Sequence, residues 1–175
     1  MTDRVLTPEV FTADYVGRPG ERTFFLQARG PEGSYSFVLE KIQVQALAEG
    51  AGELLLMIDQ ADEVRGARPQ RHPDLVLQAP IEPEWRVGTI ALGYEEKSDL
   101  TLVVLERAPE PGAPEPAETD KVQILLTRAQ LRAFVGHALA VVAEGRPPCP
   151  LCGLPVDPDG HTCPSSNGHH PLGEG

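Results

Sequence analysis

Two segments of the 175-residue chain carry the same order of signals, three strand patterns followed by one helical pattern. In each segment the last strand enters the helix without a gap, as "FVLEKIQVQAL" from Phe37 and "ILLTRAQLRAF" from Ile124. The offset of 124 − 37 = 87 aligns Leu39 with Leu126, Lys41 with Arg128, Gln43 with Gln130 and Ala46 with Ala133. We therefore predict an α+β fold with a duplicated β-β-β-α unit, a mostly antiparallel sheet and two main helices.

Apolar runs bounded by Gly- and Pro-rich turns predict six strands. These are Val10–Val16, Arg22–Arg29, Ser34–Leu39, Arg86–Tyr94, Leu100–Leu105 and Val122–Leu126. Helical spacing predicts one helix from Lys41, with a kink or break at Gly50 and Gly52 because glycine is a poor helix former. A second helix begins at Thr127, where Thr127 and Gln130 form a capping box, and Gly145 stops it.

Charge and hydropathy narrow the range of partners. The formal net charge is −11, so the surface repels phosphate backbones and we expect no nucleic-acid partner. The start, "MTDRVLTPEVF", has no basic segment followed by an apolar one, and no apolar run reaches the roughly 20 residues that span a bilayer. We expect a cytoplasmic protein that does not bind membranes.

All three cysteines lie in one short stretch, "CPLCGLPVDPDGHTCP", which starts at position 149. Cys149 and Cys152 have the spacing of a zinc knuckle, and a glycine follows them. A short strand and a turn over 157–160 would form a hairpin that returns His161 and Cys163 to the first pair on one face of a strand. In a reducing cytoplasm this pattern predicts a tetrahedral, structural Zn²⁺ site.

The fourth ligand has an alternative in the sequence. His169 follows Cys163 in "PSSNGHH", where a glycine could let the chain fold back. We favour His161 because the hairpin fixes its position, whereas His169 and His170 lie in a terminal tail. A redox Cys-x-x-Cys pair would need a βαβ context, and a disulfide would leave one thiol over.

The remaining polar residues predict no catalytic or cofactor-binding site. Four residues of one polar segment, Arg65, Arg68, Arg71 and His72, are expected to be solvated, and His137 is expected on the surface of the second helix. Trp85 is expected to contribute to packing. No nucleophile–base pair follows from spacing alone, so the sequence favours a protein that is not an enzyme.

Several phrases resemble a bacterial family, domain-of-unknown-function family 3090, found largely in actinobacteria. They are "GRPGERTFFLQA" from Gly17, Leu39–Glu40–Lys41 with Gln43, "RVGTIALGY" from Arg86, and the stretch from Cys149 to Gly168. The family tail commonly reads Gly-His-x-Cys-Pro-Arg-x-Asn-Gly, and Gly160, His161, Cys163, Pro164, Asn167 and Gly168 match it. Ser165 stands where that arginine is usual.

The resemblance implies one metal ligand and an adaptor role, but it implies no enzymatic activity. It places a histidine at the position of His161, which favours His161 over His169. Family members are often encoded near a phosphoinositide-kinase-like protein and a histidine-phosphatase-like protein, which implies a shared pathway and an adaptor role.

The sequence therefore predicts two parts. Residues 1–145 form an α+β domain with possible halves 8–64 and 83–145, and residues 146–175 form a zinc-knuckle tail. The predicted function is a cytoplasmic, zinc-binding adaptor that contacts another protein. The alternative is a phosphate-handling hydrolase with its site between the two halves.

Overall fold

The computed structural model describes residues 3–59, 69–112, 120–145, 148–154, 156 and 160–166. The chain divides into two compact units, Met1–Ala143 and Glu144–Gly175. In the first unit the described residues form the strands β1 Asp3–Leu6, β2 Val10–Val16, β3 Thr23–Gly30, β4 Gly33–Leu39, β5 Pro83–Glu95, β6 Leu100–Arg107 and β7 Lys121–Leu126. The α-helices there are α1, Lys41–Asp59, and α2, Arg128–Ala143; short 3₁₀ turns lie at Pro73–Leu75 and, in the second unit, at Pro164–Ser166.

The strands form one sheet in the order β1-β7-β6-β5-β4-β3-β2. Neighbours pair antiparallel except at β1–β7 and β4–β5, which are parallel. The predicted α+β class with a mostly antiparallel sheet is therefore confirmed. The structure adds β1, which the sequence did not predict, because four residues without strict alternation give little signal.

The sheet is strongly curled. β1 and β2 lie at opposite ends of the strand order, yet only three residues separate Leu6 from Val10. Seven neighbouring strands have six spacings of about 4.8 Å between them, so the edges of a flat sheet would lie roughly 29 Å apart. The four residue-to-residue steps from Leu6 to Val10 span at most about 14 Å. The sheet must therefore bend until its two edges approach each other at this short connection.

The core of the first unit lies where the two helices pack against each other and against the sheet. Each helix buries an apolar stripe, consisting of Val44, Leu47, Ala48, Ala51 and Leu55 in α1 and Leu131, Phe134, Val135, Ala138 and Val141 in α2. The predicted break in α1 was wrong, because the helix is continuous. Gly50 instead permits a close approach, since a Cβ built there would lie 3.3 Å from Leu92 Cδ1.

The helices begin with equivalent glutamine caps, Gln43 in α1 and Gln130 in α2. Each side-chain oxygen accepts a hydrogen bond from the backbone N–H three residues earlier, at 2.8 and 2.9 Å. Each side-chain nitrogen donates to two successive carbonyls, those of Val87 and Gly88 for Gln43 and those of Pro8 and Glu9 for Gln130. The capping box of Thr127 and Gln130 is confirmed, since the Gln130 N–H also donates to Thr127 Oγ1. These equivalences support the duplication, which stays a prediction.

Candidate metal centre

A tight turn in the second unit carries the first cysteine pair. The backbone N–H of Gly153 donates to the carbonyl of Cys149 at 2.8 Å, and the N–H of Cys149 donates to the carbonyl of Leu154 at 2.8 Å. Gly153 has φ +72°, in the left-handed region that glycine adopts without a steric penalty. The glycine that follows the cysteine pair in the sequence therefore lets the turn adopt this left-handed backbone.

Four potential ligand atoms meet beside this turn. They belong to Cys149, Cys152, His161 and Cys163, and all lie within 4.8 Å of one another. The two sulfurs of Cys149 and Cys163 are 3.9 Å apart, and Cys152 Sγ is 3.2 Å from His161 Nε2. A tetrahedral ion with Zn–S bonds of about 2.3 Å would separate two sulfurs by about 3.8 Å. The four residues are thus close enough to bind one metal ion, with spacings that suit a tetrahedral shell.

Backbone hydrogen bonds make one thiol of the cluster easier to deprotonate. Hydrogen bonds from the backbone N–H groups of Cys152 and Leu151 lower the pKa of the Cys149 thiol. The N–H of Leu154 acts in the same direction on Cys152, but burial and the neighbouring thiols Cys163 and Cys149 raise the pKa of Cys152 overall. The Cys149 thiol therefore loses its proton more readily than the Cys152 thiol. A bound cation would favour the loss of the remaining thiol protons.

The local backbone differs from the predicted hairpin. Leu154, Val156, His161 and Cys163 lie in irregular backbone, so the described part of the unit contains no strand at these positions. Gly160, with φ +94°, redirects the chain immediately before His161. The turn residues 157–159 and both competing histidines, His169 and His170, lie outside the described residues.

A buried polar network in the first unit was not predicted. His137 is fully buried on α2, and its Nδ1 accepts the backbone N–H of His72 at 3.0 Å. Because Nδ1 is an acceptor, Nε2 carries the proton, and it faces Asp14 Oδ2 at 3.4 Å. Arg71 holds the same carboxylate with two hydrogen bonds, at 2.8 and 2.9 Å. The expectations of a surface His137 and a solvated Arg71 were wrong.

The environment of Asp14 keeps it ionised. Burial alone would raise its pKa, but the nearby Nε2–H of His137, the hydrogen bonds from Arg71 and the backbone N–H of Tyr15 hold that pKa below the ordinary value. His72 itself is exposed, as expected, whereas Arg65 and Arg68 lie outside the described residues.

The buried polar network connects one irregular segment to the sheet by hydrogen bonds. Thr12 Oγ1 donates to the Leu75 carbonyl, and the Gln27 side chain exchanges hydrogen bonds of 3.0 and 2.9 Å with the backbone of Gln78. Together with Arg71, these contacts attach residues 71–78 to β2 and β3. We interpret Asp14 and His137 as structural, because both are buried beneath this segment.

The first unit also contains a small cleft of about 200 Å³. It is lined by Arg4, Phe37, Glu84, Trp85, Arg107, Asp120 and Val122, which come from β1, β4, β5, β6 and β7 and from the residue that precedes β7. Trp85 packs against the buried ring of Phe37 with 4.7 Å between centroids, which confirms its predicted packing role. The cleft was not predicted, because five separate elements create it.

The fold and the cluster together define a class: an α+β protein with a curled sheet and a separate C-terminal unit that can hold a metal ion through three cysteines and a histidine. The sequence model of the family described as "Protein of unknown function (DUF3090)" matches residues 5–163, and the chain belongs to that family. The match includes all four clustered residues. No match was found among curated proteins or among solved structures. None of the helices in the described part of the chain is long and apolar enough to cross a membrane.

Proposed function

We propose that this chain is a structural zinc protein of the cytoplasm and that its second unit binds another protein. The observation that carries the proposal is the closed set of four ligand atoms within 4.8 Å. Four protein ligands leave no coordination position for a substrate, which is typical of structural zinc. Three thiolates and one imidazole also suit zinc better than they suit hard cations such as Mg²⁺ or Ca²⁺.

The proposed binding surface is the outer side of the cysteine turn. Leu151 and Leu154 project from it with 68% and 48% of their surface exposed. Exposed apolar side chains held on a rigid element favour a protein partner, because covering them removes apolar area from water. A turn fixed by a metal loses little conformational entropy when it binds.

Metal analysis tests the first part of the proposal. Protein purified under reducing conditions without chelator should contain about one zinc per chain, as four ligands complete one tetrahedral shell. Cys152→Ser and His161→Ala should lose the ion, whereas His169→Ala and Ser165→Ala should retain it. Zinc-free wild-type protein would contradict the proposal, and zinc loss in His169→Ala alone would reassign the fourth ligand.

Partner capture tests the second part. The double variant Leu151→Ser/Leu154→Ser should keep its zinc and lose the partner that the wild-type chain captures and that mass spectrometry identifies. Truncation before Cys149 should have the same effect. Equal capture by the wild type and both variants would place the binding surface elsewhere.

The hydrolase alternative finds less support in the cleft. Among its lining residues there is no serine, threonine, cysteine or histidine, and Arg107 is paired with the carboxylates of Glu110 and Asp120. Phosphate released from a phosphorylated metabolite by the purified chain, and lost in a cleft variant, would restore that alternative.

A further inference from the structure

The cleft of the first unit has a mixed set of charges at its mouth. Arg107 and Asp120 satisfy each other, because the Arg107 Nη1 donates to Asp120 Oδ2 at 3.3 Å and the backbone N–H of Arg107 donates to the Asp120 carbonyl at 3.0 Å. Arg107 Nη2 also donates to Glu110. This side of the cleft therefore has little charge left for a ligand.

Arg4 and Glu84 form a much looser pair. Arg4 Nη1 is 4.0 Å from Glu84 Oε2, beyond hydrogen-bonding distance, and the two side chains are 36% and 40% exposed. The Arg4 guanidinium lies over the ring of Tyr35, 4.6 Å from its centroid. No hydrogen bond joins either charged group to another side chain within the described ranges. Arg4 thus keeps unused donors, and Glu84 keeps unused acceptors, at the same opening.

Trp85 supplies the accessible apolar surface below this pair. Its ring packs against the buried ring of Phe37 with the two planes tilted by 57°. At about 200 Å³ the cleft is smaller than the roughly 300–1,000 Å³ of sites for drug-sized ligands. The cleft therefore suits a small molecule that pairs with the two charges at its mouth.

We propose that this cleft binds a free α-amino acid. The ligand carboxylate accepts hydrogen bonds from Arg4, the ammonium group donates to Glu84, and the side chain lies against Trp85. A zwitterion matches one unused cation and one unused anion, whereas a polyphosphate would meet the carboxylates of Glu84 and Asp120. The site uses residues of the first unit alone and does not depend on the proposed role of the metal centre.

Trp85 supplies the readout, because it lines the cleft and is the single tryptophan of the chain. Titration of the full-length protein with leucine should change the Trp85 emission in a saturable manner. N-acetyl-leucine lacks the ammonium charge and leucinamide lacks the carboxylate, so each should bind about tenfold more weakly or worse. Leucine, phenylalanine and the two analogues form the panel.

One substitution and one control substitution test whether Glu84 binds the ammonium group of the ligand. Glu84→Gln should weaken leucine binding and reduce the discrimination against N-acetyl-leucine, because the ammonium loses its charged partner. Arg86→Gln is the matched control, since Arg86 pairs with Glu40 at 2.5 Å and does not line the cleft. Absence of a saturable change with leucine and phenylalanine up to about 10 mM, or equal binding of leucine and N-acetyl-leucine, would overturn the proposal.

Discussion

The two units of the molecule differ in how many apolar side chains they bury. Among the described residues, every buried apolar side chain except that of Cys149 belongs to the first unit, where the sheet and two helices remove it from water. In the second unit Leu151 and Leu154 are exposed, and the feature that brings distant residues together is the cluster of three thiols and His161.

The proposed Zn²⁺ would allow a short segment to adopt a defined structure without an apolar core. Structural zinc contributes about 10–16 kcal/mol in small metal-binding peptides at neutral pH, which is as much as the net stability of many whole domains. The first unit obtains its stability from burial and hydrogen bonding instead. Perturbations should therefore affect one unit and spare the other.

Metal removal should give the largest effect and should be confined to the second unit. Chelation of purified protein should remove the order around Cys149, Cys152, His161 and Cys163, detected as lost amide dispersion in NMR spectra and as new protease cleavage there. The Trp85 emission and the thermal midpoint of the first unit should not change. Loss of the far-ultraviolet circular dichroism of the whole chain would show that the units are not independent.

A substitution provides the same test without a chelator. Cys152→Ser should reproduce the loss of order in the second unit, because a serine hydroxyl is a poor replacement for a thiolate ligand. Ser165→Ala is the matched control in the same segment, and its spectrum should resemble that of the wild type. Equal spectra for the two variants would contradict a metal-dependent fold.

The features that the sequence predicted correctly depend on neighbours along the chain. Cys149, Cys152, His161 and Cys163 lie within fifteen positions, and Thr127 caps a helix through a residue three positions later. Each pattern therefore contains nearly all of its own partners. Local spacing is sufficient to predict such contacts.

The features that were missed depend on residues far apart in the chain. His137 looked like a surface residue because its partners Asp14 and His72 are 123 and 65 positions away. Arg71 looked solvated for the same reason, as its carboxylate partner is 57 positions away. The three residues between β1 and β2 gave no sign that they join opposite ends of the sheet. These contacts follow from topology, which a single sequence does not show.

The buried carboxylate offers the second test, of intermediate size. Asp14→Asn should lower the free energy of unfolding of the first unit by about 2–3 kcal/mol, because the charged hydrogen bonds to Arg71 and the favourable contact with His137 Nε2 are lost. Urea unfolding followed by Trp85 fluorescence measures the change. The zinc content should stay the same, and Asp74→Asn, at an exposed carboxylate, should change stability by no more than about 0.5 kcal/mol.

The same variant should show a pH dependence with a definite sign. The folded-state pKa of Asp14 is lowered, so its stabilisation is complete above the unfolded-state pKa of about 3.9. Below that value the unfolded chain binds a proton that the folded chain does not, and the stabilisation falls as the pH drops through the folded-state pKa. The stability difference between wild type and Asp14→Asn should therefore shrink as the pH falls below about 4. A difference that stayed constant down to pH values near 3 would exclude this role for Asp14.

The smallest expected effect tests whether the first unit is itself built from two equivalent halves. Gln43 and Gln130 make the same three contacts, one with a helix-cap N–H and two with carbonyls of a neighbouring chain segment. Each change to alanine should cost about 1 kcal/mol of stability, and because the two sites share no hydrogen-bond partner the costs should add in the double variant. Gln45→Ala is the matched control, since the Gln45 side chain donates to exposed Glu49 at 2.9 Å and should contribute less than about 0.5 kcal/mol. All of these variants should bind zinc as the wild type does. A different result would be that one cap substitution costs no more stability than Gln45→Ala while the other costs well over about 1 kcal/mol. The two helices would then not be stabilised by equivalent caps. The argument for duplication would in that case depend on strand order alone.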